Sequence, residues 1–178
     1  IGHIRKEASR LVTLIEDILR LSQLDEGRQM PSEQVDLFEL ADEVRSVLEG
    51  ACEAKHINMK LMGEHVCVDG VKRLLYEIIY NLCDNAIRYN KPGGSVRVNI
   101  GMHGEHVLLT VKDTGIGIPK ESQERVFERF YRVDKSRSKQ TGGTGLGLAI
   151  VKHIVAQHHA RLDLKSQVGV GTEVSVLF

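Results

Sequence analysis

Tryptophan is absent from this sequence and aromatic residues make up only 4% of it. The interior must therefore be filled by Leu, Ile, Val and Ala. Neither sign of charge dominates: Lys and Arg total 24, as do Asp and Glu. That balance argues against a general nucleic-acid binder, which would be basic. It also removes any global field steering an anionic ligand, so a phosphate site would have to be local. No apolar run approaches the length of a membrane span, and residues 1–20 are too charged for a signal peptide. Cysteine is sparse, with Cys52, Cys67 and Cys83 in apolar surroundings and no C-x-x-C spacing. This pattern predicts reduced structural thiols in a cytosolic compartment. Proline is rare (3) but glycine is not (17), and the glycines are unevenly spread. With 42% hydrophobic and 27% charged residues, the 178-residue chain is too apolar for disorder and suits one domain with a small appendage. It starts at Ile1, with no Met, inside a helical pattern, so a piece of a longer protein is expected.

Ile1, Ile4, Ala8, Leu11, Ile15, Ile18 and Ser22 alternate steps of three and four, predicting a helix to about Asp25 with a bundle stripe. Leu14, Leu21 and Leu24 widen that stripe. Such a helix needs a partner helix, or else docks on its own domain. Residues 27–34, with Gly27 and Pro31, read as a linker. Asp36 and Glu39 open a helix to about Ala54. Ile57–Met62 and Val66–Val68 read as strands. Asp69 is the expected cap of a helix running to about Tyr89, before Pro92. Ser95–Ile100 and Val107–Val111 form a hairpin about His103-Gly104-Glu105. A helix follows over about 145–158, then strands near Arg161–Ser166 and Thr172–Phe178 about the Gly169-Val170-Gly171 turn. The class is α+β: a two-layer sandwich with helices on one face of a mixed, mostly antiparallel sheet, preceded by the long amphipathic helix.

Four clusters carry chemistry. Glu77, Asn81, Asn85 and Tyr89, four residues apart, share a helix face, with Arg88 beside them. Asn is a poor helix former, and two stacked side-chain amides offer oxygens to a hard cation such as Mg²⁺. An exposed polar face is the plainer reading. Asp113-Thr114-Gly115-Ile116-Gly117-Ile118-Pro119 follows a strand. Its acid can accept from an exocyclic amine, and its glycines admit a flat base. A simple turn is the alternative; Pro119 suits the first position of a further helix. Gly142-Gly143-Thr144-Gly145-Leu146-Gly147-Leu148 enters a helix and presents backbone N–H groups to phosphate. It is neither a Walker A loop nor a dinucleotide turn, and a glycine linker is the alternative. Phe127-Glu128-Arg129-Phe130-Tyr131-Arg132 leads into Lys135, Arg137 and Lys139. This stretch reads as a cationic lid with an aromatic anchor, or as a solvated loop.

In this order the clusters resemble the ATP-binding domain of two-component sensor histidine kinases, of the Bergerat-fold ATPase superfamily. Asn81-Leu-Cys-Asp-Asn85-Ala-Ile-Arg88-Tyr89 is similar to the N box, and Asp113-Thr-Gly-Ile-Gly117 to the G1 box. Phe127-Glu-Arg-Phe130-Tyr-Arg132 resembles the F box, Gly143-Thr-Gly145-Leu-Gly147-Leu the G2 box, and Gly169-Val-Gly171-Thr172 the closing turn. Residues 1–26 resemble the second helix of the dimerisation and histidine-phosphotransfer domain, leaving 27–34 as linker and 35–178 as the catalytic domain.

The resemblance implies roles. Asn85, with Asn81, would hold Mg²⁺ on the ATP phosphates. Asp113 would bind the adenine amine, supported by Thr172, with Tyr89 against the ring. Gly115, Gly117, Ile118 and Phe130 would complete the nucleotide site. Arg88 and Arg132 would contact phosphates, and Gly143, Thr144, Gly145, Leu146, Gly147 and Leu148 would wrap them. Arg88 stands where Lys is commoner, Asn90 replaces Thr or Ser, and His158-His159-Ala160 replaces His-Gly-Gly. None of the eight histidines lies in a phosphoacceptor motif, so autophosphorylation by this stretch alone is not expected. His103 and His106 flank a hairpin without further metal ligands. Implied for the parent are a homodimer through the bundle, a cognate response regulator, a cytoplasmic site under a membrane anchor, and no nucleic acid. The alternatives are a non-catalytic nucleotide-binding module, or another Bergerat-fold ATPase or serine kinase.

Overall fold

The computed structural model describes residues 2–27, 29–134 and 142–178. In chain order they form α1 (Gly2–Asp25), β1 (Glu33–Asp36), α2 (Leu37–Lys55), β2 (Asn58–Gly63), β3 (Cys67–Gly70), α3 (Lys72–Arg88), β4 (Ser95–His103) and β5 (His106–Asp113). Two 3₁₀ turns follow (Lys120–Ser122 and Arg125–Phe127), then α4 (Gly147–Gln157), β6 (Arg161–Gln167) and β7 (Gly171–Leu177).

The five-stranded sheet has the order β2-β4-β5-β7-β6. Only β2 and β4 are parallel; the other neighbours are antiparallel. The alternation read in the hairpin decides which face is covered. Val96, Val98 and Ile100 of β4 and Val107, Leu109 and Val111 of β5 are buried, as are Val174 and Val176 of β7. Against them lie Leu74, Leu75, Ile78, Ile79 and Leu82 of α3, Ile150, Val151 and Ile154 of α4, and Leu40, Val44 and Leu48 of α2. Each fully buried aliphatic side chain contributes roughly 1.5–3 kcal/mol, and with no Trp present these residues make the core. The architecture is the expected α+β sandwich.

Helix ends show which residues hold the frame. Asp36 caps α2, its Oδ1 accepting from the N–H groups of Phe38 and Glu39 at 2.9 and 3.1 Å. Asp69 does not cap α3. It lies in β3 and accepts from Gln34 of β1, while the cap residue of α3 is Val71, with no side-chain cap. The Val71 N–H donates instead to His158 Nε2 at 3.2 Å, and the other ring nitrogen lies 2.9 Å from the Ile154 carbonyl. At the far end of α3, Lys55 Nζ donates to the carbonyls of Ile87, Arg88 and Asn90 at 3.0, 2.6 and 3.1 Å.

Strand β1 begins at Glu33, near the end of the stretch 27–34, and pairs antiparallel with β3. Three local expectations are corrected. Pro119 leads only into a single 3₁₀ turn. Cys67 is exposed, because it alternates with buried Val68 on β3, whereas Cys52 and Cys83 are buried; all three are free. The stretch before the lid is anchored by buried Val126, while Phe130 is 55% exposed.

Two stripes of α1 behave differently. Leu21 and Leu24 are buried, and α1 packs on α4. Ile4, Leu11, Ile15 and Ile18 are exposed, Ile4 by 75%. Among the described residues no helix is long and apolar enough to cross a membrane.

Candidate functional site

A cavity of about 1110 Å³ opens between α3, the ends of β5 and β7, the segment 116–119 and the glycine-rich entry to α4, with α1 along one side. One end is built on Asp113, the last residue of β5. Its Oδ1 accepts the N–H of Gly115 at 2.7 Å and that of Thr172 at 3.2 Å, and no bond reaches Oδ2 from the described residues. Burial pushes this carboxyl above its ordinary range, and the two amide bonds only partly counter it. One oxygen is thus fixed by the backbone, leaving the other as acceptor for a donor in the cavity. Thr172 supports Asp113 through its amide; its hydroxyl lies 2.7 Å from Ser166 Oγ. Gly117 has φ +73, and a Cβ there would meet the Gln167 carbonyl oxygen at 2.1 Å, so only glycine closes this turn onto β6.

The other end is polar. Asn81 and Asn85 both line the cavity. Asn81 Nδ2 donates to the Glu77 carbonyl at 2.8 Å, which leaves Oδ1 as a free acceptor. Two amide oxygens with room for water suit a hard divalent cation. The glycine loop closes over them, and a Cβ at Gly147 would stand 3.1 Å from Asn81 Oδ1. Helix α4 starts here without a side-chain cap, so its first N–H groups are available to an anion.

Arg132 brings the decisive observation. Its Nε and Nη2 are buried and have no hydrogen-bond partner among the described residues. Burial, with the Arg10 charge second, holds its pKa below the ordinary value. Arg132 as a whole is half-buried, and each N–H group left without a partner costs roughly 1–3 kcal/mol; an anion relieves that cost. Arg88 also lines the cavity but pairs with Asp84 at 2.9 Å. Burial raises the carboxyl pKa of Glu77, which lies 3.5 Å from Arg73.

Tyr89, Ile118, Gly143, Thr144, Gly145, Leu148 and Thr172 share the cavity wall with these groups. Three expected site residues lie off it. Gly115 acts through its N–H on Asp113, Leu146 is fully buried in the core, and exposed Phe130 donates its N–H to the Gly145 carbonyl at 3.0 Å. The expected lid cations Lys135, Arg137 and Lys139 fall outside the described residues.

Sequence reading missed Ser166 and Gln123. Ser166 Oγ accepts the Ile118 N–H at 2.8 Å and donates to the Gly171 carbonyl at 3.1 Å, tying the 113–119 turn to the β6–β7 end. Gln123 Nε2 donates to the carbonyls of Ile118 and Ser166 at 3.0 and 2.9 Å. Only the β6–β7 register, which sets Ser166 opposite Thr172, assigns these roles, and no local motif signals it. Thr13, Glu16, Asp17 and Arg20, which bring α1 to the cavity, were also missed.

Residues 70–178 match the family described as histidine kinase-, DNA gyrase B- and HSP90-like ATPases. The sensor-like histidine kinase SenX3 of Mycolicibacterium smegmatis is 41% identical over 170 residues, covering 93% of this chain and 44% of that protein. The chain thus spans under half the length of this relative. The solved mycobacterial sensor histidine kinase MprB superposes with a TM-score of 0.71 at 30% identity, covering 83% of this chain and 97% of that one. A full-length structure of ShkA in complex with AMPPNP gives a TM-score of 0.81 at 25% identity, covering 99% of this chain and 37% of that one.

Proposed function

The chain belongs to the family of histidine kinase-, DNA gyrase B- and HSP90-like ATPases and is homologous to sensor histidine kinases, and from that premise we propose that its cavity binds ATP with Mg²⁺ and presents the γ-phosphoryl group to a histidine. The observation that carries this is half-buried Arg132, whose Nε and Nη2 have no partner among the described residues, in the same cavity as the amide-anchored carboxylate of Asp113.

Asp113 Oδ2 accepts the adenine amine, while the Gly115 and Thr172 N–H groups hold the carboxylate in place. Tyr89, Gly117 and Ile118 bound the base. Arg132 meets phosphate oxygens, as do the loop 143–148 and the first N–H groups of α4. Arg88 contributes by leaving Asp84. Asn81 and Asn85 supply amide oxygens to Mg²⁺, which when bound neutralises phosphate charge. In the transfer, an imidazole nitrogen lone pair forms the N–P bond as the bond from γ-phosphorus to the β-phosphate oxygen breaks, and ADP leaves. The chain's own groups align the phosphates and stabilise charge.

Residues 1–26 are read as the second helix of a dimerisation domain, 27–34 as linker and 35–178 as the catalytic domain. The exposed Ile4, Leu11, Ile15 and Ile18 stripe supports pairing with other bundle helices in a homodimer. The parent protein works in two-component signalling with a response regulator, at the cytoplasmic side of a membrane.

Calorimetric titration with Mg–ATP tests the site. Arg132→Ala is expected to weaken binding at least about tenfold, the scale of a lost charge-assisted bond. Equal affinity in wild type and variant would remove the phosphate assignment.

A further inference from the structure

Helix α1 meets the catalytic domain along one face. Asp17, Leu21, Leu24 and Asp25 are spaced i, i+4, i+7 and i+8, so they lie on one stripe. Leu21 and Leu24 are its buried residues, and an acid stands at each end. At one end Thr144 Oγ1 donates to Asp17 Oδ2 at 2.7 Å. At the other, Arg129 Nη2 donates to both oxygens of Asp25 at 3.0 Å, and His153 Nδ1 lies 3.6 Å from Asp25 Oδ1.

The two ends differ in their relation to the cavity. Asp17 and Thr144 line it, whereas Asp25, Arg129 and His153 do not. The Thr144 hydroxyl has one proton to donate and gives it to Asp17, while its oxygen accepts the Leu146 N–H at 3.3 Å. A phosphate oxygen seated at the Thr144 hydroxyl would compete with Asp17 for that proton. It also meets the Asp17 carboxylate in a partly desolvated pocket, where like charges repel strongly.

We propose that α1 and the nucleotide compete for the glycine loop, the Asp17–Asp25 face acting as a latch that occupies Thr144 until the ATP phosphates displace it. This rests on the ATP-site reading above. Docked α1 lowers apparent nucleotide affinity by the fraction of molecules in which the loop is free. By reciprocity, ATP loosens α1 from α4 and exposes Leu21 and Leu24.

The test is calorimetric titration of Mg–ATP into this chain as wild type, Asp17→Ala, Asp25→Ala and Leu24→Ala. Asp17→Ala is expected to tighten binding about three- to tenfold. Asp25→Ala lies outside the cavity, and about two- to fivefold tightening is expected from loss of an exposed ion pair. Because it also frees the Arg129 cation, Leu24→Ala, which loosens docking without changing charge, must tighten binding too, and failure to do so overturns the latch. Tightening by Asp17→Ala alone reduces Asp17 to a local charge effect and overturns the latch. Unchanged or weaker binding in both Asp variants overturns it too. If wild type and all three variants bind no ATP, the nucleotide-site reading itself fails, and the latch with it.

Discussion

Asp113 places a carboxyl group under burial, at a cost in stability once it is charged. Burial raises its folded-state carboxyl pKa above the unfolded value of about 3.9. Its contribution to stability is therefore fully present below the unfolded pKa and is lost as pH rises through the folded one. Asp113→Asn keeps an oxygen for the Gly115 and Thr172 amides but carries no charge. Thermal unfolding without nucleotide should show a higher Tm for the variant at neutral pH and a flatter decline as pH rises from acid. Its ATP affinity should fall at least about tenfold. A lower Tm would mean that the charge is better satisfied than this geometry allows. Gly117→Ala, forced against the Gln167 carbonyl, should lose several degrees of Tm together with nucleotide binding. Asp113 was legible in sequence because an acid before two glycines at a strand end is a local pattern. Ser166 and Gln123 were not, because their partners lie 48 and 43 residues away and only strand register unites them.

Among the elements, α3 carries most of the site and depends on a strut from α2. The three carbonyls at its end converge on Lys55 Nζ, and the Tyr89 carbonyl just beyond accepts the Ile116 N–H at 3.1 Å. Lys55→Met leaves those carbonyls short of a donor, at about 1–3 kcal/mol. Denaturant unfolding should report that loss, with partial recovery in Lys55→Arg; an unchanged midpoint would show that water replaces the ammonium. Helix and strand identities were readable from periodicity over most of the chain. The failures came where a tertiary partner overrode a local signal. Asp69 was drawn into the β1–β3 ladder, and His158 took over the N-terminus of α3 from 87 residues away. For α1, sequence offered docking or bundling, and the molecule uses the Leu21 and Leu24 stripe for docking while leaving the Ile4, Leu11, Ile15 and Ile18 stripe uncovered.

At the scale of the whole molecule, zero net charge is repeated in a cavity of mixed sign, lined by Arg20, Arg73, Arg88 and Arg132 and by Glu16, Asp17, Glu77, Asp84, Asp113 and Asp134. The exposed stripe of α1 should drive self-association. Sedimentation should detect concentration-dependent dimers in wild type and a monomer in Ile15→Asp. Identical behaviour of the two would place the dimer interface elsewhere. The central claim is that the cavity recognises an adenine nucleotide through Asp113 and Arg132. It is tested most directly by titrating the unmodified chain with Mg–ATP and with Mg–GTP. Guanine sets an oxygen where adenine has its amine, so ATP should bind at least about a hundredfold tighter. Equal affinity for the two nucleotides would contradict the account.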